Sequence, residues 1–353
     1  MYILKSKKLL YSILVFIILS CIFLAVSCSS GNSEVLEDAS TLNETATDGD
    51  SEISDKFDEE TELPTEPEEY EDIVQYDRLA ETNVVYKKII DTNGEANLKL
   101  DIYYPTNKIY NKNPTIVAFH GGSWVAGTRS DIINAFYPLF AKLRANGYTV
   151  VTVQYRYVSS MIYFPSNLED CIDAILFLAE NADKYDVDPN AIGVTGFSAG
   201  AHLAMLCTYA MKTFSISGNF IDLNYCISFA GPTKLYDDDV NSYPRAILYM
   251  LDALFNGSYE EKTELYKLGS PHYYLNGDIK TPLMILHGDK DEVVPYSQSA
   301  LMFERARNAN IPSELITLKN GAHMINFNYS MTPATRDEVI SSIEQFIYKY
   351  TVK

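Results

Sequence analysis

The chain is short of several things, and each shortage narrows what it can be. Five cysteines occur in 353 residues, and Cys21 and Cys28 both precede residue 30. Cys171, Cys207 and Cys226 stand singly inside apolar stretches, with no paired spacing of the kind that marks a disulfide framework or a zinc site. Free buried thiols and no resident metal or organic cofactor are therefore expected. Basic residues are also few: 28 Lys and Arg face 47 Asp and Glu, for a net charge of -19. No basic cluster interleaved with aromatics occurs, which excludes the usual nucleic-acid surface. With only five histidines, the candidates for a general base are few. An apolar run approaching bilayer length occurs once, over residues 9–26, immediately after Lys5, Lys7 and Lys8.

That basic start, apolar run and small-residue site read as an export signal. Ala25-Val26-Ser27-Cys28 adds a resemblance to the lipobox of bacterial lipoproteins, which implies cleavage before Cys28 and its acylation. Ile18-Leu19-Ser20-Cys21 is a second candidate, and an uncleaved membrane helix is the alternative reading. The expectation is a lipid-anchored protein working outside the cytoplasm, its membrane contact made through the anchor. Residues 29–72 are Glu, Asp, Ser and Thr with Pro64 and Pro67, and Lys56 is their one basic residue. So little apolar surface cannot offset the entropy of ordering, so a flexible acidic tether is expected. It holds most of the negative charge and leaves the remainder only mildly acidic.

From about residue 73 the pattern changes to one that can build a core. Residues 98–104 alternate apolar and polar, as an antiparallel strand does. Short continuous apolar runs at 115–119, 148–155, 192–197, 225–229 and 283–286 read as buried strands, with a further strand at 314–318. Helical spacing is predicted over 132–145, 168–184, 199–212, 297–308 and 335–350. Strand and helix in alternation predict an α/β fold with a mostly parallel central sheet and helices on both faces. Residues 233–275, rich in Tyr and Leu, break the rhythm. They are expected to form a small cap-like insertion before the penultimate strand.

Three stretches carry candidate chemistry. Gly196-Phe197-Ser198-Ala199-Gly200 lies between a buried strand and a helix, the context of a nucleophile elbow. The flanking glycines allow a tight, strained turn, and the helix N-terminus favours developing negative charge at Ser198. His120-Gly121-Gly122-Ser123-Trp124 follows the third strand. Glycines there let backbone N–H groups approach an acyl oxygen, so Gly121, Gly122 and Ala199 are candidate oxyanion donors. A nucleophilic serine needs a base and an orienting acid. His120 belongs to the glycine turn, His202 follows Ser198 by one helical turn and is expected to pack on the sheet, His272 ends the insertion, and His287 ends a strand. His323, on the loop before the last helix, is left as the base. Asp291 and Asp289 share the loop after residues 283–286; Asp291, just before Glu-Val-Val-Pro, is the favoured acid and Asp289 is expected to hold the turn.

Taken with Leu100-Asp-Ile-Tyr-Tyr-Pro105, Tyr155-Arg-Tyr157, Phe164-Pro165 and Asp188-Pro189, these motifs resemble the α/β-hydrolase superfamily over about residues 80–350. The resemblance is to esterases related to hormone-sensitive lipase and to bacterial carbohydrate-type (acetyl xylan and feruloyl-like) esterases. It implies Ser198, Asp291 and His323 as a catalytic triad, with Gly121, Gly122 and Ala199 around the oxyanion. Many relatives carry a third glycine where Ser123 stands, and the His-Gly-Gly-x-Trp form also resembles kynurenine formamidases. The expected activity is hydrolysis of short acyl esters, of small molecules or of saccharides, through an acyl-enzyme. Trp124, Tyr157, Tyr163 and Tyr243 are candidates to line the pocket. The alternatives are an amidase, formamidase or peptidase on the same triad, a lipase, or an inactive surface binding protein.

Overall fold

The computed structural model describes residues 79–91 and 94–351. The expected export signal, Cys28 and the whole of the expected tether lie outside the described residues. Among the described residues no helix is long and apolar enough to cross a membrane.

An eight-stranded sheet forms the centre, in the order β1-β2-β4-β3-β5-β6-β7-β8. Strand β1 (Ala80–Asp91) pairs antiparallel with β2 (Gly94–Tyr103), and β2 antiparallel with β4 (Thr149–Val153). The remaining pairs are parallel: β3 (Asn113–Phe119), β5 (Val187–Phe197), β6 (Cys226–Phe229), β7 (Leu283–Gly288) and β8 (Ser313–Leu318). Strands β3, β4, β6 and β7 are buried along their whole length, which is why they read as unbroken apolar runs rather than alternating ones.

Helices cover both faces, as the alternation predicted. On one face lie α1 (Arg129–Ala135), α2 (Tyr137–Ala145) and α8 (Pro333–Thr351). Their Ile132, Leu139, Phe140, Ile343 and Phe346, with Phe136 from the junction of α1 and α2, pack against Ile116, Val150, Ile227, Phe229 and Met284. Helices α3 (Ser166–Glu180) and α4 (Ala199–Phe214) pack on β5, and α7 (Ser297–Asn308) packs on β7 and β8. Helix α4 is buried continuously from Ala199 to Met211, so its sequence is predominantly apolar on every side, as a central helix requires, and its buried His202 and Thr208 are hydrogen-bonded.

One helix of the sequence reading divides in two. Residues 132–145 are interrupted at Phe136 (φ -106°, ψ 19°), because Pro138 sits in the first turn of α2. Proline lacks the N–H that would bond the carbonyl four residues back and its ring clashes there, so it suits a helix start and breaks a helix interior. The insertion between β6 and β7 consists of a 3-10 turn (Asp237–Ser242), α5 (Arg245–Phe255), α6 (Tyr259–Leu268) and a second 3-10 turn (Pro271–Tyr274). Its start is tied to α7 by Gln298, whose side-chain oxygen accepts from the N–H groups of Thr233 and Lys234.

Candidate active site

The C-terminal ends of β3, β5, β7 and β8 bring the sequence-marked residues together, at the end of a parallel sheet where ligands are generally bound. Ser198 follows β5 directly, at φ 53° and ψ -120°, a region that side-chain-bearing residues rarely occupy. The turn holds because nothing larger than hydrogen fits beside it. A Cβ on Gly196 would stand 2.3 Å from the Gly200 carbonyl, and one on Gly200 would stand 2.1 Å from the Phe119 oxygen. Helix α4 therefore starts against the end of β3. The Ser198 N–H is anchored to the Phe229 carbonyl at 2.8 Å. Ser198 is 9% exposed.

The Ser198 hydroxyl donates to His323 Nε2 at 3.0 Å, and His323 Nδ1–H donates to Asp291 Oδ2 at 2.7 Å. Asp291, rather than Asp289, is thus the acid that His323 meets. The loop after β7 and the loop after β8 interlock to allow it: the Lys290 N–H bonds the Gly321 carbonyl, and a Cβ on Gly288 would stand 2.1 Å from that same oxygen. Beyond His323 the chain is fixed by Phe327, whose ring lies 5.2 Å from Phe136 and 5.9 Å from Phe229. The Phe327 N–H bonds the Ala135 carbonyl.

Asp291 Oδ1 accepts from the N–H groups of Val293 and Val294, both at 2.8 Å. Burial by itself raises the Asp291 carboxyl, but hydrogen bonds from His287 and His323, the charge of His323 and the Val293 N–H outweigh it and hold the acid far below the usual carboxylate range. A carboxylate kept ionised beside an imidazole orients it and stabilises the imidazolium formed when it takes a proton.

The His120–Trp124 loop runs beside the elbow, since Phe119 is in register with Gly196 across β3 and β5. Gly122, Ser123 and Trp124 all adopt positive φ, at 116°, 50° and 62°, so this loop too is strained. Among the described residues, none accepts a hydrogen bond from the N–H groups of Gly121, Gly122 and Ala199. For Ala199 this follows from its place as the first residue of a helix. All three are free to donate to a bound oxygen.

Two of the other histidines make hydrogen bonds that local sequence does not reveal. His202 does not simply pack on the sheet: its Nε2–H donates to the Gly269 carbonyl at 2.7 Å, and its Nδ1 accepts from Trp124 Nε1–H at 3.3 Å. It thus joins the glycine loop, helix α4 and the insertion. Burial pushes its imidazole down to about 4 despite the Gly269 bond. His120 donates from Nδ1 to the Gly121 carbonyl and stacks on Tyr155 at 4.3 Å; burial pushes it also to about 4. Of the expected pocket aromatics, Trp124 and Tyr243 are buried in the packing while Tyr157 and Tyr163 remain exposed. Tyr157 hydrogen-bonds the Gly127 carbonyl at the far end of the glycine loop.

The BD-FAE family matches residues 100–306, a stretch that contains Ser198 and Asp291 and ends before His323. Esterase LipQ of Mycobacterium tuberculosis is 27% identical over 261 residues, 72% of this chain and 60% of its own. Isoprenylcysteine alpha-carbonyl methylesterase ICME of Arabidopsis thaliana is 24% identical over 264 residues, 71% of this chain and 59% of its own. The chain therefore spans about three fifths of the length of these curated relatives. Among solved structures, Thermogutta terrifontis esterase Est2 with butyrate bound superposes with a TM-score of 0.61 and 25% identity, covering 78% of this chain and 95% of its own. A truncated carbohydrate esterase from gut microbiota superposes with a TM-score of 0.62 and 24% identity, covering 78% and 96%. With a family match over more than half its length, and with the mostly parallel sheet and helical layers of those structures, this chain belongs to the BD-FAE family and has the α/β-hydrolase fold.

Proposed function

We propose that the protein is a serine carboxylesterase that hydrolyses short acyl esters through a covalent acyl-enzyme. The observation that carries this reading is the hydrogen-bonded sequence Ser198–His323–Asp291 at the end of the sheet. In the proposed reaction Ser198 Oγ attacks the ester carbonyl carbon while His323 Nε2 takes its proton. The negative charge that forms on the carbonyl oxygen is met by the N–H of Ala199 with that of Gly121 or Gly122, each donor being worth about 10²–10³ in rate. His323 then returns the proton to the departing alkoxide. Water, activated by the same imidazole, releases the acid and restores Ser198. Asp291 keeps Nδ1–H pointed at itself and so leaves Nε2 as the working nitrogen.

Relatives named as esterases support the ester bond. The finer parts of the proposal are an acylated saccharide as substrate and an extracytoplasmic location with Cys28 as lipid anchor. The first is supported by the resemblance to carbohydrate-type esterases, the second by the residues around Cys28.

The test is hydrolysis of p-nitrophenyl acetate by the wild type and Ser198→Ala. The expected result is a loss of roughly 10⁶-fold in turnover, the scale seen when a triad nucleophile is removed. Activity that survives in Ser198→Ala overturns the proposal. Deacetylation of acetylated xylan then tests the saccharide part, and its absence beside good activity on the small ester rejects that part alone.

A further inference from the structure

Asp291 carries a second imidazole. His287, the residue that opens the His-Gly-Asp-Lys-Asp loop, places Nε2 at 2.9 Å from Asp291 Oδ2, the same oxygen that receives His323. The same Nε2 is 3.0 Å from the Val294 carbonyl oxygen. Both neighbours are acceptors, so Nε2 must carry the proton. On the other side of the ring, Nδ1 lies 2.6 Å from Ser299 Oγ and accepts its hydroxyl. The ring and the Ser299 side chain are wholly buried. The result is a near-symmetric sequence, Ser198–His323–Asp291–His287–Ser299, with a serine hydroxyl at each end and one carboxylate oxygen at its centre. Only the Ser198 end reaches the surface.

We propose that His287 is a positioning residue, which holds the Asp291 carboxylate and divides its charge between two imidazoles. This rests on the triad reading above. A carboxylate oxygen that already accepts one N–H has less charge to offer a second, so His287 weakens the pull of Asp291 on the proton gained by His323. The base then stays unprotonated, and the enzyme active, at lower pH than it otherwise would. The fixed tautomer prevents His287 from taking a proton from His323 through Asp291. The titratable groups around the pair are few. Tyr243, from the insertion, senses the Asp291 charge and is kept neutral chiefly by burial. Tyr296, at the start of α7, meets the His287 ring edge-on at 5.7 Å. Asp289, Lys290 and Glu292 lie on the same loop as Asp291.

The experiment is the pH dependence of kcat/KM on p-nitrophenyl acetate for wild type, His287→Leu and His287→Gln. Leucine removes the donor, whereas the glutamine amide keeps an N–H at about the reach of Nε2. The acid limb of the profile is expected to move upward by about one pH unit in His287→Leu, the scale of losing one charge-assisted hydrogen bond, and to return in His287→Gln. A folded His287→Leu with an unmoved acid limb overturns the proposal, whatever happens to kcat. Should His287→Leu not fold, ¹⁵N-histidine NMR of the wild type decides. A proton on Nε2 of His287, with its resonance moving as His323 titrates, is the expected result; a proton on Nδ1 alone, or no coupling to His323, overturns it. Ser198→Ala separates the two readings. If it stays active the triad has failed, and if it is inactive while the acid limb does not move, only the role of His287 has.

Discussion

Acidification from about pH 7 to about pH 5 is expected to weaken the fold through two buried histidines, and the size follows from their surroundings. His120 and His202 are both fully buried, and burial lowers each imidazole to about 4; an unfolded histidine titrates near 6.5. Between those values the unfolded chain binds protons that the folded chain refuses, so stability falls as pH falls from 6.5 towards 4. Integrating over the interval from pH 7 to pH 5 gives about 2 kcal/mol for each of these two histidines and about 4 kcal/mol together, and His272, only partly buried but also lowered to about 4 chiefly by burial, adds in the same direction. Asp291 adds nothing in this window. Its carboxyl is depressed, so its contribution is complete above the ordinary carboxylate range and is lost only at lower pH. For a domain of this size about 4 kcal/mol corresponds to a fall in Tm of roughly 8–15 °C. Calorimetry at both pH values, on wild type and on His202→Gln, reads the effect. The glutamine amide can still bond Gly269 but does not titrate, so the variant is expected to lose between a third and a half of the pH dependence. A wild-type Tm that shifts by less than about 3 °C would refute the reasoning, as would an unaltered pH dependence in the variant.

Trp124→Phe removes the indole N–H that bonds His202 while keeping most of the ring. Steady-state kinetics should show kcat reduced, with KM little changed, by less than the roughly 10²-fold cost of an oxyanion donor itself. Asp291→Asn leaves the shape of the site but removes the charge and favours the wrong His323 tautomer; a fall in kcat of about 10⁴-fold is expected. Phe327→Ala opens a void between Phe136 and Phe229, and denaturant unfolding should report a loss of about 3–5 kcal/mol. Because Phe327 lies four residues beyond His323, kcat should fall as well. Gly288→Ala sets a methyl group against the Gly321 carbonyl, parting the Asp291 and His323 loops. The expected result is a larger loss in kcat than in Tm-derived stability.

Much of the fold was legible because its strands are short buried apolar runs. Residues 115–119 and 283–286 are such runs, and Ser297–Asn308 forms a helix over the span its spacing predicted. Strand β1 gave no comparable signal. It is an edge strand with two register shifts against β2 and many exposed residues, so neither alternation nor an apolar run marks it. The break at Phe136 was visible in Pro138, but helical periodicity continues through it, and a helix that restarts looks like one that never stopped. The site itself was legible where chemistry forces local sequence: the elbow needs glycines around Ser198, and the His120 loop needs glycines to expose N–H groups. Pairing Asp291 with His323 rested on motif and on loop position. The uses of His202 and His287 were not legible, because their partners lie 67 and 78 residues away for one and 4, 7 and 12 for the other. Nothing in local spacing tells in which direction a buried imidazole points. Both sit next to motifs, yet their work depends on hydrogen bonds that only the assembled sheet creates.

The central proposal is that Ser198 is the nucleophile, raised on the elbow and deprotonated by His323. The most direct measurement is covalent trapping with a fluorophosphonate, which displaces fluoride only when a hydroxyl is activated, followed by peptide mass spectrometry. One phosphonyl group per chain on the peptide containing Ser198 is expected, with labelling greatly slowed in His323→Ala and absent in Ser198→Ala. A label on another residue, or equal labelling of the wild type and Ser198→Ala, would contradict it.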